Sequence, residues 1–223
     1  MAELVWDEID ERVYQVGVDR GVICHIDPIP GVAWNGLVSV QENEREEIED
    51  IYFNGMKVYG VTHYKDYSAE VSAISYPKEL FEYSGNLEMQ SGFYIADQQP
   101  RQFNFSYRTR IGTPADQAEE HYKIHLVYNA IALPQGVSSK TLNNSGTVQI
   151  HKWKIETIPL SIHEPTFKAP STSHFVIDTR KISEAALGYV EALLYGKDAP
   201  PEFEFTPWMW DPVYMYAGLL NAE

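Results

Sequence analysis

Cysteine occurs once in the 223 residues, at Cys24. A single thiol forbids an intrachain disulfide and rules out a cysteine-based zinc site. It lies in the run GVICHID, between Asp19 and Asp27, where a reactive thiolate would lack the positive surroundings it needs. It therefore reads as a buried structural thiol. Basic residues are also few: 17 Lys and Arg stand against 32 Asp and Glu, for a net charge of −15. Binding nucleic acid by phosphate neutralisation runs on clustered Lys and Arg, so that class is disfavoured. No apolar run approaches the roughly 20 residues that span a bilayer. The opening MAELVWDEIDE is acidic where a secretion signal starts basic and then turns apolar. Neither membrane insertion nor secretion is expected.

Catalytic signatures are missing too. No GxSxG elbow, GxxxxGK[ST] loop or GxGxxG fingerprint occurs. His121 and His125 are four apart, but their segment reads as a strand. They would then stand about 13 Å from each other, too far to share a metal. His151, His163 and His174 are scattered singly and read as structural. The acid-rich 41–50 lacks the alternation and central glycine of a calcium loop. Arg108 and Arg110 interleave with aromatics, a pattern that can stack single-stranded nucleic acid, yet in so acidic a chain it reads as the polar face of a strand. The expectation is a non-enzymatic protein with no cofactor and no metal site.

What remains is mostly β pattern. Hydrophobic residues at 44% and charged residues at 22% describe neither a disordered nor a membrane composition. GVICHID (21–27) and VAWNGLVSV (32–40) read as strands joined by a Pro- and Gly-rich turn. In the second, Val32, Trp34, Val38 and Val40 fall on one face, a core face, and Ala33, Asn35, Leu37, Ser39 and Gln41 on a half-apolar opposite face. IYFNGMKVYG carries an Asn54-Gly55 hairpin signal. SAEVSAISY (68–76) alternates until Pro77 stops it. QFNFSYRTRIG (102–112) puts Phe103, Phe105 and Tyr107 on one side. HYKIHLVYNAIA (121–132) turns Tyr122, Ile124, Leu126 and Tyr128 inward. VQIHKWKIETI (148–158) slips phase near Ile150–Lys152, as a bulge would make it do, and HFVIDT (174–179) closes the set. One helix stands out: Ser183 as N-cap, Glu184 in the first turn, an Ala186, Leu187, Val190, Leu193, Leu194 stripe and Gly196 as C-cap. The predicted class is mainly β, an antiparallel β-sandwich or barrel with one flanking α-helix over 183–195.

Two segments stand apart from that body, which spans 1–197. QENEREEIED (41–50) holds six acids and one arginine on a strand-to-strand connection. The arm 198–223 holds four prolines, two tryptophans, two tyrosines, two phenylalanines and two methionines without periodicity. Apolar side chains gain about 1.5–3 kcal/mol each on burial, so such an arm is expected to dock, on its own domain or on a neighbour.

In order along the chain, GVAWNGLVSV, SAEVSAISYPKELFEYSG, FNFSYRTRIG, HYKIHLVYNAIA, IHKWKIETIPL and HFVIDTRK before EALLYG resemble the major tail (tail tube) proteins of long, non-contractile-tailed bacteriophages of Gram-positive hosts. The resemblance runs from about Leu4 to Gly196. The arm from Asp198 and the acidity of 41–50 depart from it. It implies a structural virion protein, assembled in the host cytoplasm, that forms hexameric rings stacked into a tube. Its partners would be itself, a tape-measure protein and tail-end proteins, and double-stranded DNA would pass through without specific binding. Trp34, Asn35, Leu37, Trp208, Trp210, Tyr214 and Tyr216 are the expected subunit-interface residues. Glu42, Glu44, Glu46, Glu47, Glu49 and Asp50 are expected to line the lumen or meet the next ring. A distal-tail, baseplate or tail-terminator ring of the same fold, a decoration protein, and a carbohydrate-binding β-sandwich are the alternatives. Protonation of the acids below about pH 4–5 is expected to tighten association by lowering charge repulsion.

Overall fold

The run 32–40, expected as one strand, is two strands broken by a tight turn. In the computed structural model, which describes residues 13–25, 31–43, 46–64, 66–112, 121–137, 148–161 and 171–196, β1 (Tyr14–Cys24) is followed by β2 (Val32–Trp34) and β3 (Leu37–Glu42). Asn35-Gly36 turns the chain between β2 and β3, with Gly36 at φ +82°. Gly36 and Gly55 both use glycine's freedom to adopt positive φ without a Cβ clash, but Asn54 takes a positive φ and Asn35 does not, so the two turns differ in type. The remaining elements are β4 (Glu46–Phe53), β5 (Met56–Tyr64), β6 (Ser68–Ala73), α1 (Lys78–Tyr83), β7 (Leu87–Gln90), β8 (Phe93–Ile95) and β9 (Phe103–Gly112). They continue with β10 (His121–Pro134), β11 (His151–Thr157), β12 (Leu160–Ser161), β13 (Ser171–Thr172), β14 (His174–Asp178) and α2 (Glu184–Tyr195).

The fold is mainly antiparallel β, as the sequence predicts. The large sheet runs β2-β1-β9-β10-β11-β6-β3, with β14 also paired to β10. Its two ends, β2 and β3, are joined by Asn35-Gly36 alone, so the sheet must curl until its ends meet. The turn is stitched to the end of β6. Ile74 N–H donates to the Gly36 carbonyl (2.8 Å), Ser75 Oγ donates to the Asn35 carbonyl (2.8 Å), and Trp34 Nε1 donates to the Ser75 carbonyl (2.9 Å). Irregularities supply the curvature. β1 shifts register on either side of Asp19, with Gly17 at φ +66° and Arg20 at φ +47°, and β10 shifts around Asn129 at φ +50°.

Inside the curl lies an aromatic core. Phe103, Phe105 and Tyr107 point inward as their alternation predicts, and Trp34 packs between Phe105 and Trp153 at 5.4 Å ring separation from each. Such offset and edge-on contacts add to the burial energy of large side chains. β11 alternates cleanly, with Trp153, Ile155 and Thr157 buried, and shows no bulge. The phase slip near Ile150 reflects the strand beginning only at His151.

A second core lies on the other side of β10. Ile124, Leu126 and Tyr128 meet Val190, Leu193 and Leu194 of α2. The helix ends as predicted: Ser183 Oγ accepts from the Ala186 N–H (3.2 Å), and Gly196 at φ +64° donates its N–H to the Ala192 carbonyl (3.0 Å). This second cover buries Asn104, Ser106 and Arg108, which alternation alone assigns to solvent. α1 was not expected. Its six residues are too few to show a 3.6-residue period, and its sign is Pro77 ahead of the helix with Glu79 in the first turn. The hairpin β7–β8, turning at Gly92 with φ +80°, was not expected either.

Burying Arg108 requires a partner. Asp19 on β1 supplies one, accepting from Arg108 Nε (2.6 Å) and from a terminal guanidinium nitrogen (2.8 Å), and also from Arg110 Nε (2.9 Å). The Arg108 guanidinium lies 4.4 Å from the centre of the Tyr122 ring, and Tyr122 Oη donates to Glu191 of α2 (2.5 Å). Burial, then the Glu191 carboxylate, pushes the Tyr122 phenol up to about 12, so it remains a donor. This chain of charges fastens α2 to β1 and β9.

Two predictions follow from these contacts. A Cβ at Gly36 would stand 2.4 Å from Ser75 Oγ and 2.9 Å from Ser75 N, at a φ that L-residues resist. Gly36→Ala should therefore cost about 2 kcal/mol or more and lower Tm by roughly 4–8 °C. Gly55→Ala, at φ +79° with open space around it, should cost only about 1 kcal/mol. Thermal melts of both variants check the contrast. The second concerns acid. Burial raises the Asp19 carboxyl, but the Arg108 and Arg110 guanidiniums outweigh it and hold the group below its ordinary 3.8. The Arg180 hydrogen bonds hold Asp178 down to about 2. A carboxyl depressed in the fold contributes its full stability above 3.8 and loses it as pH falls through the depressed value. Urea midpoints should thus fall between pH 4 and pH 2, and Asp19→Asn should flatten part of that slope.

Candidate functional site

Among the described residues, the most exposed apolar structure is the hairpin β4–β5. Eight residues of β4 at about 3.3 Å each reach roughly 26 Å. Asn54 at φ +50° and Gly55 at φ +79° form the two-residue turn that the sequence predicts, whose twist matches that of the strands. Cross-strand pairing sets Ile51 opposite Tyr59 and Phe53 opposite Met56, so these four share one face. Phe53 is 69% exposed, Met56 71%, Tyr59 67% and, on the other face, Tyr52 62%. Across the ladder, Lys57 pairs with Asp50. The hairpin forms a two-stranded sheet of its own and builds no sheet with the curled body. An isolated two-stranded hairpin is marginal in water, so it calls for a surface to lie on.

A smaller hairpin, β7–β8, repeats the theme. Met89 and Phe93 are exposed at its tip, while Lys78 pairs with Glu88 at its base. The Phe81 ring meets Tyr94 edge-on at 5.2 Å and fastens α1 to this hairpin.

The expected interface residues divide. Trp34 is 3% exposed and belongs to the chain's own core, a correction that follows from the break at Asn35-Gly36: β2 tucks its last residue under the turn. Asn35 is exposed at that turn, and Leu37 packs half-buried against the core. Trp208, Trp210, Tyr214 and Tyr216, with the whole arm 198–223, lie outside the described residues, as does Glu44. The acid-rich 41–50 is not simply a connection. Glu42 ends β3, and Glu46, Glu47, Glu49 and Asp50 belong to β4. Glu42 faces the body, where Tyr107 Oη donates to its Oε1 (2.7 Å), and Asp50 is engaged by Lys57. Cys24 is buried, which pushes its thiol well above the ordinary range and leaves it inert, as expected.

Beneath Glu42 lies a polar cluster that sequence reasoning missed. His125 is buried. β10 pairs with β14 so that His125 faces Val176 and His174 faces Val127, which makes the two histidines diagonal neighbours on one face. His125 Nδ1 lies 3.1 Å from His174 Nε2 and 3.5 Å from Glu42 Oε1. His125 Nε2 lies 3.1 Å from Thr109 Oγ1, and the Tyr107 ring stacks on the imidazole at 4.4 Å. Burial first, then Tyr67 and Glu42, drive the Tyr107 phenol far up, so it keeps its proton and donates. The lone-histidine reading of the sequence missed this because the partners come from three strands distant in the chain.

No protein-family description matches the chain, and none of the curated proteins is significantly similar to it. Solved structures with a partly similar course include the cap that terminates the tube of the anti-feeding prophage, at 10% identity, covering 74% of this chain and 92% of that one, TM-score 0.40. A chain of the sheath–tube complex of an extracellular contractile injection system (PVC) matches at 12% identity over 79% of this chain and 99% of that one, TM-score 0.39. The sheath/tube terminator of the same system matches at 11% identity over 65% and 94%, TM-score 0.37. Likenesses this distant settle neither family nor function.

Proposed function

We propose that the chain is a structural subunit of a phage-type tail, which assembles with copies of itself into rings stacked as a tube and performs no catalysis. The observation that carries this reading is the β4–β5 hairpin, whose face of Ile51, Phe53, Met56 and Tyr59 stands off the body. A hairpin of this kind gains its stability by lying against a neighbour, and a second copy of this chain is the occupant proposed. The ordered β motifs that resemble tail tube proteins point to the same role. In that role the tape-measure protein and the tail-end proteins are the further partners. The excess of 32 acids over 17 bases lets double-stranded DNA pass without adhering.

Assembly of the purified full chain tests the proposal. At rising concentration it should form rings or tubes in negative-stain images. The double variant Phe53→Asp, Met56→Lys should raise the dissociation constant at least about a hundredfold, since each side chain contributes roughly 1.5–3 kcal/mol when buried. Its melting temperature should stay close to that of the wild-type monomer, because Phe53 and Met56 are largely exposed among the described residues. A wild-type chain that stays monomeric at high concentration, or a variant that assembles equally well, refutes the reading. Copy number in the virion then separates a tube subunit, present in many copies, from a terminal ring present in few.

A further inference from the structure

We propose that Glu42, His125 and His174 form a binding site for one divalent transition-metal ion, with zinc as the best fit. The ligand atoms of the three residues lie within 4.8 Å of one another. Around a tetrahedral zinc with bonds of 2.0–2.1 Å, ligand atoms stand about 3.3 Å apart. The spacings here are 3.1 Å from His125 Nδ1 to His174 Nε2 and 3.5 Å from His125 Nδ1 to Glu42 Oε1, one on either side of that value. Two imidazoles and a carboxylate suit zinc, cobalt or nickel and are a poor match for magnesium or calcium.

The surroundings support the site. His125 Nε2 lies 3.1 Å from Thr109 Oγ1, an outer contact that orients a ligating imidazole and selects the nitrogen left for the ion. Tyr107 Oη donates to Glu42 (2.7 Å), so it steers the carboxylate while water completes the coordination. Glu42 is partly exposed and gives an ion a way in from solvent, whereas His125 is buried. The two imidazoles are within 15° of coplanar and meet nitrogen to nitrogen, a contact that requires an N–H between them. The ion takes that place, with a tilt of each ring to aim its lone pair.

The placement also gives the ion something to do. Glu42 closes β3, four residues before β4 begins. An ion joining Glu42 to β10 and β14 would therefore tie the root of the projecting hairpin to the body. The site itself does not depend on the assembly role, and its test does not use assembly.

The test uses the full chain without an affinity tag, treated with chelator and then titrated with Co²⁺ and with Zn²⁺. One ion per chain should bind, with the intense visible absorption of tetrahedral cobalt, and saturating Zn²⁺ should raise Tm by several degrees. Glu42→Gln and His174→Ala should each weaken binding at least about tenfold and abolish the cobalt spectrum. Glu42→Gln lies at the solvent edge and keeps the test open even if His174→Ala fails to fold. Three results would overturn the proposal: no saturable binding, unchanged affinity in Glu42→Gln, or a Tm that responds to pH between 5 and 8 but not to metal. The last would mean that the histidine pair holds a proton and not an ion.

Discussion

The fold depends on one closure. β2 and β3 occupy opposite ends of the large sheet, yet two residues, Asn35 and Gly36, connect them. Everything between, from β1 through β9, β10, β11 and β6, must curve enough to let the ends meet. The curvature comes from the irregular points at Gly17, Arg20 and Asn129, and the meeting point is sealed by the hydrogen bonds to Ser75 and Ile74. Trp34, drawn under the turn, then fills the centre of the curl against Phe105 and Trp153. An open sheet with the same residues would leave these rings in water.

Closure creates a second demand. β9 and β10 are covered on the inside by the aromatic core and on the outside by α2, so both of their faces are buried. Polar residues that alternate with Phe103, Phe105 and Tyr107 therefore cannot look to solvent. Arg108 is answered by Asp19, while Tyr122 is answered by Glu191. His125 is answered by His174 and Thr109. Buried charged and ring-polar groups cost least when partnered, and each partner here comes from a different element. The same networks that satisfy these groups also fix where α2 and β14 sit.

Against this well-tied body, the β4–β5 hairpin is the opposite case. Its backbone is paired within itself, its turn is ideal, and its apolar face has no counterpart among the described residues of the body. A face of this kind is stable in solution only at a cost, and that cost is recovered when another surface covers it. The polar cluster at Glu42 lies at the point where this projecting element leaves the body, so local chemistry there bears on the hairpin's direction.

The sequence by itself determined the antiparallel β class, the inward aromatics of β9, the capped helix α2, the Asn54-Gly55 hairpin and the inert thiol of Cys24, because each depends on periodicity or on turn and cap chemistry within about a dozen residues. It also contained the Asn35-Gly36 break, but a half-apolar second face disguised two short strands as one long one. Only the tertiary structure decided that Trp34 packs against Phe105 and Trp153 and is withheld from any interface, that Arg108 is buried, and that His125 meets His174 and Glu42. Those outcomes require residues 49 and 83 positions apart in the chain to meet, and alternation along one strand carries no information about what covers its second face.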